Sequence, residues 1–295
     1  MTTPLIILGC GYIGSRLARA ALVAGRPVRV CARSTGKLAS LAELGAQIKY
    51  VDAAMVKQFG PAMASLDGAT VVYSIPPVGT LPPGHAVRAA LQAAAGGGAA
   101  CFVHLSSCGL YGDRPDDEAW IDEDTPTVRD DPPMTGVLTD EAAIDGSTFD
   151  RLRTVILRLA PVYGPGRGVR ARLRAGTYKL LDDGEHAISR VHVDDVVGVI
   201  FAAEQHAASG SRYLVADDEP TTQRAYATWL CERLGLPLPP SRPLFSPGAP
   251  RAAHRNRRIR NTRLKQELHV ALRYPTFREG EAAIEAEEQA AAAAG

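Results

Sequence analysis

The sequence predicts an α/β protein with a doubly wound parallel sheet and a smaller C-terminal α+β part. Short apolar runs and helical patterns alternate through the first half of the chain. The runs at 4–8, 69–73 and 99–105 are largely apolar, as expected for parallel strands that are covered on both faces. These observations predict one sheet with helices packed on both of its sides.

Glycines directly follow the first predicted strand. Gly9 permits a sharp turn, Gly11 lets the backbone approach a pyrophosphate, and Gly14 lets the next helix pack close to the sheet. That helix, predicted to run to residue 23, presents unpaired N–H groups and positive partial charge at its start. The spacing therefore predicts a dinucleotide-binding Rossmann turn, in which the cofactor also contacts Tyr12 and Ile13.

The end of the second predicted strand, 27–32, indicates which dinucleotide is bound. An enzyme that binds NAD places an acidic residue about 20 residues beyond the glycines, on the ribose 2′-OH. No acidic residue lies between 26 and 42 here, whereas Arg33, Ser34 and Lys37 offer groups suited to a 2′-phosphate. We therefore expect NADP(H) rather than NAD(H), the alternative being that these are solvated loop residues. Asp52, after the strand at 47–51, is predicted either near the adenine or in a loop-capping role.

The remaining elements of the first half continue the alternation. A helix is predicted at 37–44, a strand at 69–73, a helix at 85–95 and a fifth strand at 99–105. Ligands bind at the carboxyl ends of strands in open α/β sheets. The turn after the strand at 69–73 is therefore predicted to contact the cofactor through Ser74, Ile75 and Pro76.

The second half is predicted to contain an acidic loop at 113–131 anchored by Trp120 and a helix at 134–144. It continues with a strand at 154–159, a basic amphipathic segment at 167–181, a helix at 196–203 and a strand at 211–215. From residue 220 the pattern changes to predicted helices and proline-containing loops rich in cationic residues. The last predicted element is a helix at 279–295 that frays. We expect residues 1–163 and about 188–218 to form an NADP-binding domain. About 164–187 and 219–295 are expected to form a substrate-binding domain.

The amino-acid composition indicates which classes of partner the protein is expected to bind. The 295 residues are 46% hydrophobic and 22% charged, with a net charge of +1, so no global field favours nucleic acid or an anionic membrane. A basic run within 251–263 lacks interleaved aromatics and predicts a structural network. The five cysteines, without metal-ligand or paired spacing, predict reduced thiols and no metal site. With no secretory leader or apolar run of bilayer length, we expect a cytoplasmic monomer or homodimer that binds a small molecule.

Several strings in the correct order resemble the extended short-chain dehydrogenase/reductases, also called the NAD-dependent epimerase/dehydratase family. The strings are Gly9-Cys10-Gly11-Tyr12-Ile13-Gly14, Leu105-Ser106-Ser107 with Tyr111-Gly112, Arg158-Leu159 with Val162-Tyr163-Gly164-Pro165, and Arg190-Val191-His192-Val193-Asp194-Asp195. Leu8 stands where extended members usually have glycine, which is similar to the atypical branch. The resemblance covers nearly the whole chain.

The resemblance implies roles for particular residues. Ser107 matches the catalytic Ser/Thr of the family, although a hydroxyl that caps the strand end is an equal alternative. Ser106, Pro161 and Val162 are expected at the cofactor, and the substrate is expected to meet Cys108, Tyr163 and Arg190. Cys108 has no base beside it in sequence, which favours a small buried residue over a nucleophile. His104 is expected to be packed, and His192 and Asp194 to stabilise the chain locally.

One departure from the family concerns its Tyr-x-x-x-Lys pair, in which the Tyr is the acid/base and the Lys lowers its pKa and holds the nicotinamide ribose. The best register places Thr135 at the Tyr position and Thr139 at the Lys position. Threonine is a poor acid and serves only to relay a proton or donate a hydrogen bond. Tyr111, usually structural in the family, then becomes a candidate acid.

The departure leaves three functional hypotheses. The first is an NADPH-dependent reductase of a carbonyl, an imine or a conjugated double bond, in which Ser107 binds the substrate and Tyr111 or Thr135 assists protonation. The second is a sensor that binds NADP(H) without catalysis, favoured by the missing pair. The third is an epimerase that oxidises and re-reduces its substrate on one cofactor, which needs an efficient base more than a simple reductase does.

Overall fold

The computed structural model describes residues 3–112, 120–243 and 256–293. Parts of the predicted acidic loop, of the basic run and of the C-terminal helix therefore lie outside the described residues. The strands are β1 Leu5–Leu8, β2 Val28–Ala32, β3 Gln47–Tyr50, β4 Thr70–Tyr73, β5 Cys101–Ser107, β6 Trp120–Ile121, β7 Arg153–Leu159, β8 Val162–Tyr163, β9 Leu180–Leu181, β10 Ala187–Ile188, β11 Val191–His192, β12 Ser211–Val215, β13 Thr221–Thr222, β14 Ser241–Arg242 and β15 Arg258–Ile259.

Helices follow most of the long strands. The α-helices are α1 Tyr12–Val23, α2 Ala39–Glu43, α3 Phe59–Ala62, α4 His85–Gly96, α5 Pro132–Asp145, α6 Val169–Arg174, α7 Val193–His206, α8 Gln223–Leu234, α9 Thr262–Leu268 and α10 Phe277–Ala293. Short 3₁₀ turns occupy Gly36–Leu38, Val56–Gln58 and Cys108–Tyr111.

The central sheet has seven strands in the order β12-β7-β5-β4-β1-β2-β3. Every pairing between these strands is parallel, with Leu5 opposite both Val28 and Thr70. Strand order reverses on either side of β1, so a crevice forms at the carboxyl ends of β1 and β4. The doubly wound fold predicted from the sequence is confirmed.

Alternation along the strands divides the core into two layers. Leu5 and Ile7 pack into a hydrophobic cluster with α1, α7 and α9, whereas Ile6 and Leu8 pack into a second cluster with α3, α4 and α5. A third cluster combines Tyr163 with side chains from α6, α8 and α10. The apolar strand sequences are thus explained by helices that cover both faces of the sheet.

Several predicted elements differ in extent. Helix α7 begins three residues before the predicted start, because the His192 imidazole accepts the Asp194 N–H and caps its first turn. The amphipathic segment predicted at 167–181 is helical only through α6, which ends before Gly176, a residue with φ of 64°. Trp120, the expected anchor of the acidic loop, lies in β6, which pairs with β15; its side chain is 44% exposed, while the adjacent Ile121 is buried.

Candidate cofactor and substrate site

In the glycine loop between β1 and α1, two glycines are required by the fold and a third leaves the backbone open to a ligand. Gly9 has φ of 89°, and a Cβ there would lie 2.9 Å from the Ser74 carbonyl. A Cβ on Gly14 would lie 2.7 Å from the Gly9 carbonyl oxygen, so α1 approaches the sheet only because this residue is glycine. A Cβ on Gly11, in contrast, would meet no atom within 4 Å. The backbone at Gly11 is therefore open to a ligand.

Helix α1 presents its N-terminus at this opening. Gly11 is its N-cap residue, no side chain caps the helix, and its first turn contains no acidic residue. Its first N–H groups are left to an anion, which the helix dipole also attracts. Tyr12 and Ile13 occupy the first two helical positions. The loop therefore fits a pyrophosphate, as the spacing predicts.

The residues predicted to select the phosphorylated cofactor lie beyond β2. Arg33, Ser34 and Lys37 are exposed on the segment that follows this strand. Lys37 shares with Gly11 and Tyr12 a groove of about 890 Å³, also lined by the cations Arg16, Arg19 and Arg273. Asp52 forms a local turn in which one of its carboxylate oxygens accepts the Ala54 N–H. The loop-capping alternative is thus seen at Asp52.

A separate cavity of about 500 Å³ opens at the carboxyl ends of β4, β5 and β7. It contains many of the predicted cofactor contacts, which come from the glycine loop, from the turn after β4, from β5 and from the segment after β7: Ile13, Ser74, Ile75, Pro76, Ser106, Pro161 and Val162. Ser107 also lines it. Its position at the carboxyl ends of these strands is where ligands bind in open α/β sheets.

The two serines at the end of β5 are held differently. The Ser107 hydroxyl accepts the Gly109 N–H at 2.9 Å, so it caps the 3₁₀ turn and still lines the cavity with its own O–H available as a donor. Ser106 is buried, and its hydroxyl donates to Glu141 on α5 at 2.5 Å. Both alternatives that the sequence leaves open for Ser107 are therefore compatible with its geometry.

Helix α5 carries the residues expected to replace the Tyr–Lys pair, but it turns a different face to the cavity. Thr135 donates to the Asp131 carbonyl and Thr139 to the Thr135 carbonyl, and neither lines the cavity. Pro133 and Val137, which have the same spacing of four residues, do line it. The structure therefore does not bring Thr135 to this cavity, and the register based on it stays a prediction. No Tyr or Lys is among the residues described around it.

A buried ion pair joins α5 to β7. Glu141 and Arg158 are joined by two hydrogen bonds, of 3.0 and 2.6 Å. Arg158 also donates to the Tyr111 hydroxyl at 2.7 Å. Burial raises the pKa of Tyr111 to about 12, and its side chain lies outside the cavity lining. These contacts give Tyr111 a structural position and argue against the acid role suggested for it.

The three residues expected at the substrate also lie outside the cavity lining. The Cys108 thiol is buried and donates to the Arg158 carbonyl, and burial raises its pKa to about 12. Tyr163 is buried beneath α10, where a Cβ on Gly280 would lie 2.0 Å from the phenolic oxygen. The Arg190 guanidinium is buried over the ring of Tyr226, 4.0 Å from its centroid. This placement does not favour direct substrate contact by the three residues.

Other residues of the cavity were not among the predicted site residues. Asp140 and His104 are each 3% exposed and line its wall. Arg257, within the basic run, also lines it and donates to the Cys108 carbonyl at 2.8 Å. The helical spacing of Pro133, Val137 and Asp140 could have predicted that Asp140 lines the cavity, but only if Pro133 rather than Thr135 had been taken as the first cavity residue.

Among the described residues, no group of three or more His, Cys, Asp or Glu side chains is arranged to hold a metal ion. No helix within the described ranges is both long and apolar enough to cross a membrane.

The parallel sheet, the glycine loop and the cavity beside it define a nicotinamide-dinucleotide-binding protein of the Rossmann class. A sequence model of the NAD dependent epimerase/dehydratase family matches residues 5–216, and the chain belongs to this family. The resemblance to the short-chain dehydrogenase/reductases is therefore confirmed. The family unites nicotinamide-dependent oxidoreductases and epimerases.

Two curated relatives match part of the chain. The 3-diazoavenalumate denitrifying reductase of Streptomyces sp is 32% identical over 132 residues, which are 42% of this chain and 43% of that protein. Protein YeeZ of Escherichia coli (strain K12) is 28% identical over 179 residues, 59% of this chain and 58% of that protein. The chain thus spans about half the length of the curated relatives it matches.

Solved structures match nearly the whole fold. A functionally unknown conserved protein from Silicibacter pomeroyi is 29% identical, with a TM-score of 0.81 over 97% of this chain and 99% of that chain. DesIV, a dTDP-glucose 4,6-dehydratase from Streptomyces venezuelae solved with NAD and TYD, is 21% identical, with a TM-score of 0.80 over 96% and 95%. The second likeness concerns the fold alone.

Proposed function

We propose that this protein is an NADPH-dependent reductase of a small organic substrate, a carbonyl, an imine or a conjugated double bond. The observation that carries the proposal is the cavity beside Ser107, which adjoins the open N-terminus of α1. The Streptomyces relative is named as a reductase, which supports the reductive direction. When bound, the cofactor would supply a hydride to the substrate.

The preference for NADPH rests on the charges that follow β2. Arg33 and Ser34 are exposed at its end, and Lys37 lines the groove that includes Gly11. A guanidinium, a hydroxyl and an ammonium satisfy the several oxygens of a 2′-phosphate, which a ribose 2′-OH does not require. No carboxylate between 26 and 42 is present to bind that hydroxyl instead.

The chain's own residues would prepare the substrate for hydride. The Ser107 O–H is available to donate to a substrate heteroatom, since the Gly109 N–H occupies only the acceptor side of the hydroxyl. Pro133 and Val137 give this part of the cavity an apolar wall, which keeps water from the reacting atoms. Backbone groups at Pro161 and Val162, which line the cavity, would hold the nicotinamide amide. This site would work without the Tyr-x-x-x-Lys pair.

Cofactor selectivity is tested by titration calorimetry with NADPH and NADH. For Arg33→Ala we expect about a tenfold or greater loss of NADPH affinity and less than about a twofold change for NADH. Arg151→Ala is the matched control, because this exposed arginine precedes β7 at the amino end of the parallel strands, whereas Arg33 follows the carboxyl end of β2. Equal losses for both cofactors would contradict the NADPH assignment.

Turnover is tested by the loss of nicotinamide absorbance with a panel of ketones, cyclic imines, enones and an aryl diazonium salt. Steady consumption of NADPH with any of them supports the reductase. Ser107→Ala should then lower kcat by about tenfold or more, because the substrate loses a hydrogen bond made at its heteroatom.

A binding module that senses NADP(H) is the second candidate. The apolar pair Pro133 and Val137 on the cavity wall favours it, because the family's acid would stand there. Tight NADPH binding without turnover of any panel compound, together with a cofactor-dependent change in protease sensitivity, would support the sensor over the reductase.

A further inference from the structure

One face of α5 continues along the cavity beyond the apolar pair. Pro133, Val137 and Asp140 are spaced at four and three residues, so they form one stripe of the helix, and all three line the cavity. The stripe is apolar at its first two positions and carboxylic at the third. The ionisable group of this wall thus lies about one turn further along the helix than Val137.

The carboxyl of Asp140 is enclosed on the protein side. The residue is 3% exposed, and the Gly84 N–H at the start of α4 donates a hydrogen bond to it. His104 on β5 is also 3% exposed, and both of its ring nitrogens lack a partner among the described residues. The Tyr73 ring is 5.6 Å from the His104 ring, and its buried hydroxyl is likewise without a described partner. These polar atoms are themselves buried, and of the two residues only His104 lines the cavity, next to Asp140.

The charges around Asp140 do not pair with it. Tyr73 on β4 interacts with it electrostatically, and His104 shares its cavity. Glu141, next along α5, is bound to Arg158. On α4 the nearby ionisable residues His85 and Arg88 are exposed. The cations Arg167 and Arg257 line the cavity but form no ion pair with Asp140 in the described structure.

Burial sets the protonation of these groups. Desolvation raises the pKa of Asp140 to about 6, against a lowering by the Gly84 hydrogen bond. Desolvation also lowers the pKa of His104 to about 4, so that the imidazole is neutral near pH 7. A carboxyl that titrates near neutrality beside a nicotinamide site is suited to give up a proton and recover it from solvent.

We propose that Asp140 is the proton donor of this cavity. This inference rests on the proposed function. The cofactor, when bound, would supply a hydride to the electrophilic carbon of the substrate and would itself be oxidised. The O–H bond of the Asp140 carboxyl breaks, and its proton goes to the carbonyl oxygen or imine nitrogen, or to the α-carbon of an enone. Oxidised cofactor, reduced substrate and an Asp140 carboxylate result, and water returns the proton.

The position of the Asp140 carboxyl beside the nicotinamide is tested without a substrate, by carbon-detected NMR of protein labelled at the aspartate carboxyls. The Asp140 resonance is assigned as the one missing from Asp140→Asn, and it is titrated in the presence of NADPH and of NADP⁺. The oxidised nicotinamide carries a positive charge, so the pKa of Asp140 should be about one unit lower with NADP⁺ than with NADPH. Asp145 at the exposed end of α5 is the internal control and should show no difference.

The outcomes separate the two proposals. Binding of both cofactors with identical Asp140 titrations would overturn the proton-donor role and leave the reductase intact. If neither cofactor bound in a parallel calorimetric titration, the proposed function would fail and this inference with it.

Kinetics give the second readout, with whichever ketone or enone of the panel is consumed fastest. Asp140→Asn keeps an acceptor for the Gly84 N–H but has no acidic proton, so kcat should fall about 100-fold or more. NADPH affinity should remain within about twofold, because the carboxyl does not hold the cofactor phosphates. In the parent protein kcat should fall above about pH 6 as Asp140 ionises, and this limb should be absent from Asp140→Asn. A kcat within about threefold of the parent, with the same pH profile, would overturn the proposal.

Discussion

The glycine loop and the cavity face of α5 are two parts of the candidate site, and the sequence specifies them in different ways. At the loop, the identity of each residue fixes its role: Gly9 and Gly14 are required by backbone contacts at 2.9 and 2.7 Å, and Gly11 is open. At α5, the role of each residue depends on how the helix is rotated. One contact that bears on this rotation is the ion pair of Glu141 with Arg158, which comes from β7.

The comparison shows that local backbone conformation can be predicted from the sequence alone. Which face of a helix lines a cavity, in contrast, depends on tertiary contacts. A one-residue error in a glycine spacing destroys the pattern and is therefore visible. A two-residue error along α5 exchanges Pro133 and Val137 for Thr135 and Thr139 without breaking helical periodicity.

The largest expected effect is at the ion pair that fixes α5. Arg158→Met leaves the buried Glu141 carboxylate with only the longer ion pair to Arg212, at 3.5 Å, and the Tyr111 hydroxyl without its donor. We expect the free energy of unfolding in urea to fall by about 3–5 kcal/mol. Arg233→Met is the control, since its ion pair with Glu285 is partly exposed and should be worth less than about 1 kcal/mol. A similarly small loss for Arg158→Met would mean that packing, and not this pair, orients α5.

Sequence alone predicted the sheet, the glycine loop and most helix bounds, because short apolar runs and glycine spacing are local signals. It placed Ser107 on the cavity for the same reason, since the residue ends a strand. It did not place Cys108, Tyr163 or Arg190, whose side chains depend on contacts with Arg158, Gly280 and Tyr226 from distant parts of the chain. Asp140 could not be predicted as a site residue, because its burial arises only when α4 and α5 pack together.

The next largest effect concerns Asp140 and the pH dependence of stability. Its pKa is raised by burial to about 6 in the folded protein, above the ordinary 3.8. The favourable contribution is therefore complete below about pH 4 and is lost as pH rises through about 6, up to about 3 kcal/mol in total. Asp140→Asn cannot ionise, so in urea unfolding it should match the parent near pH 4 and exceed it in stability near pH 8.

Asp145→Asn is the control for this effect, because Asp145 is exposed at the end of the same helix. Parallel stability profiles for the parent and Asp140→Asn would show that the carboxyl is solvated, and the contrast between the buried face of α5 and the open loop would weaken.

On the loop side, a pair of variants separates folding from binding. Gly14→Ala drives a Cβ against the Gly9 carbonyl, so the free energy of unfolding should fall by about 1–3 kcal/mol. Gly11→Ala meets no protein atom and should change unfolding by less than about 1 kcal/mol. It should nevertheless weaken NADPH binding about tenfold in calorimetry, because the methyl group occupies the approach of the pyrophosphate. If Gly11→Ala bound NADPH as the parent does, the opening at α1 would not be the phosphate site.

The smallest expected effect tests which residues of α5 face the cavity. Val137→Lys places an ammonium on the cavity wall, where the family's lysine holds the nicotinamide ribose, whereas Thr139→Lys places it on the neighbouring face. We expect NADPH affinity to rise about threefold to tenfold for Val137→Lys, since a charged hydrogen bond to the ribose is partly offset by the cost of burying the ammonium. Thr139→Lys should leave the affinity within about twofold of the parent. A gain for Thr139→Lys alone would restore the register read from the sequence and would make Thr135, not Pro133, the residue that stands at the tyrosine position.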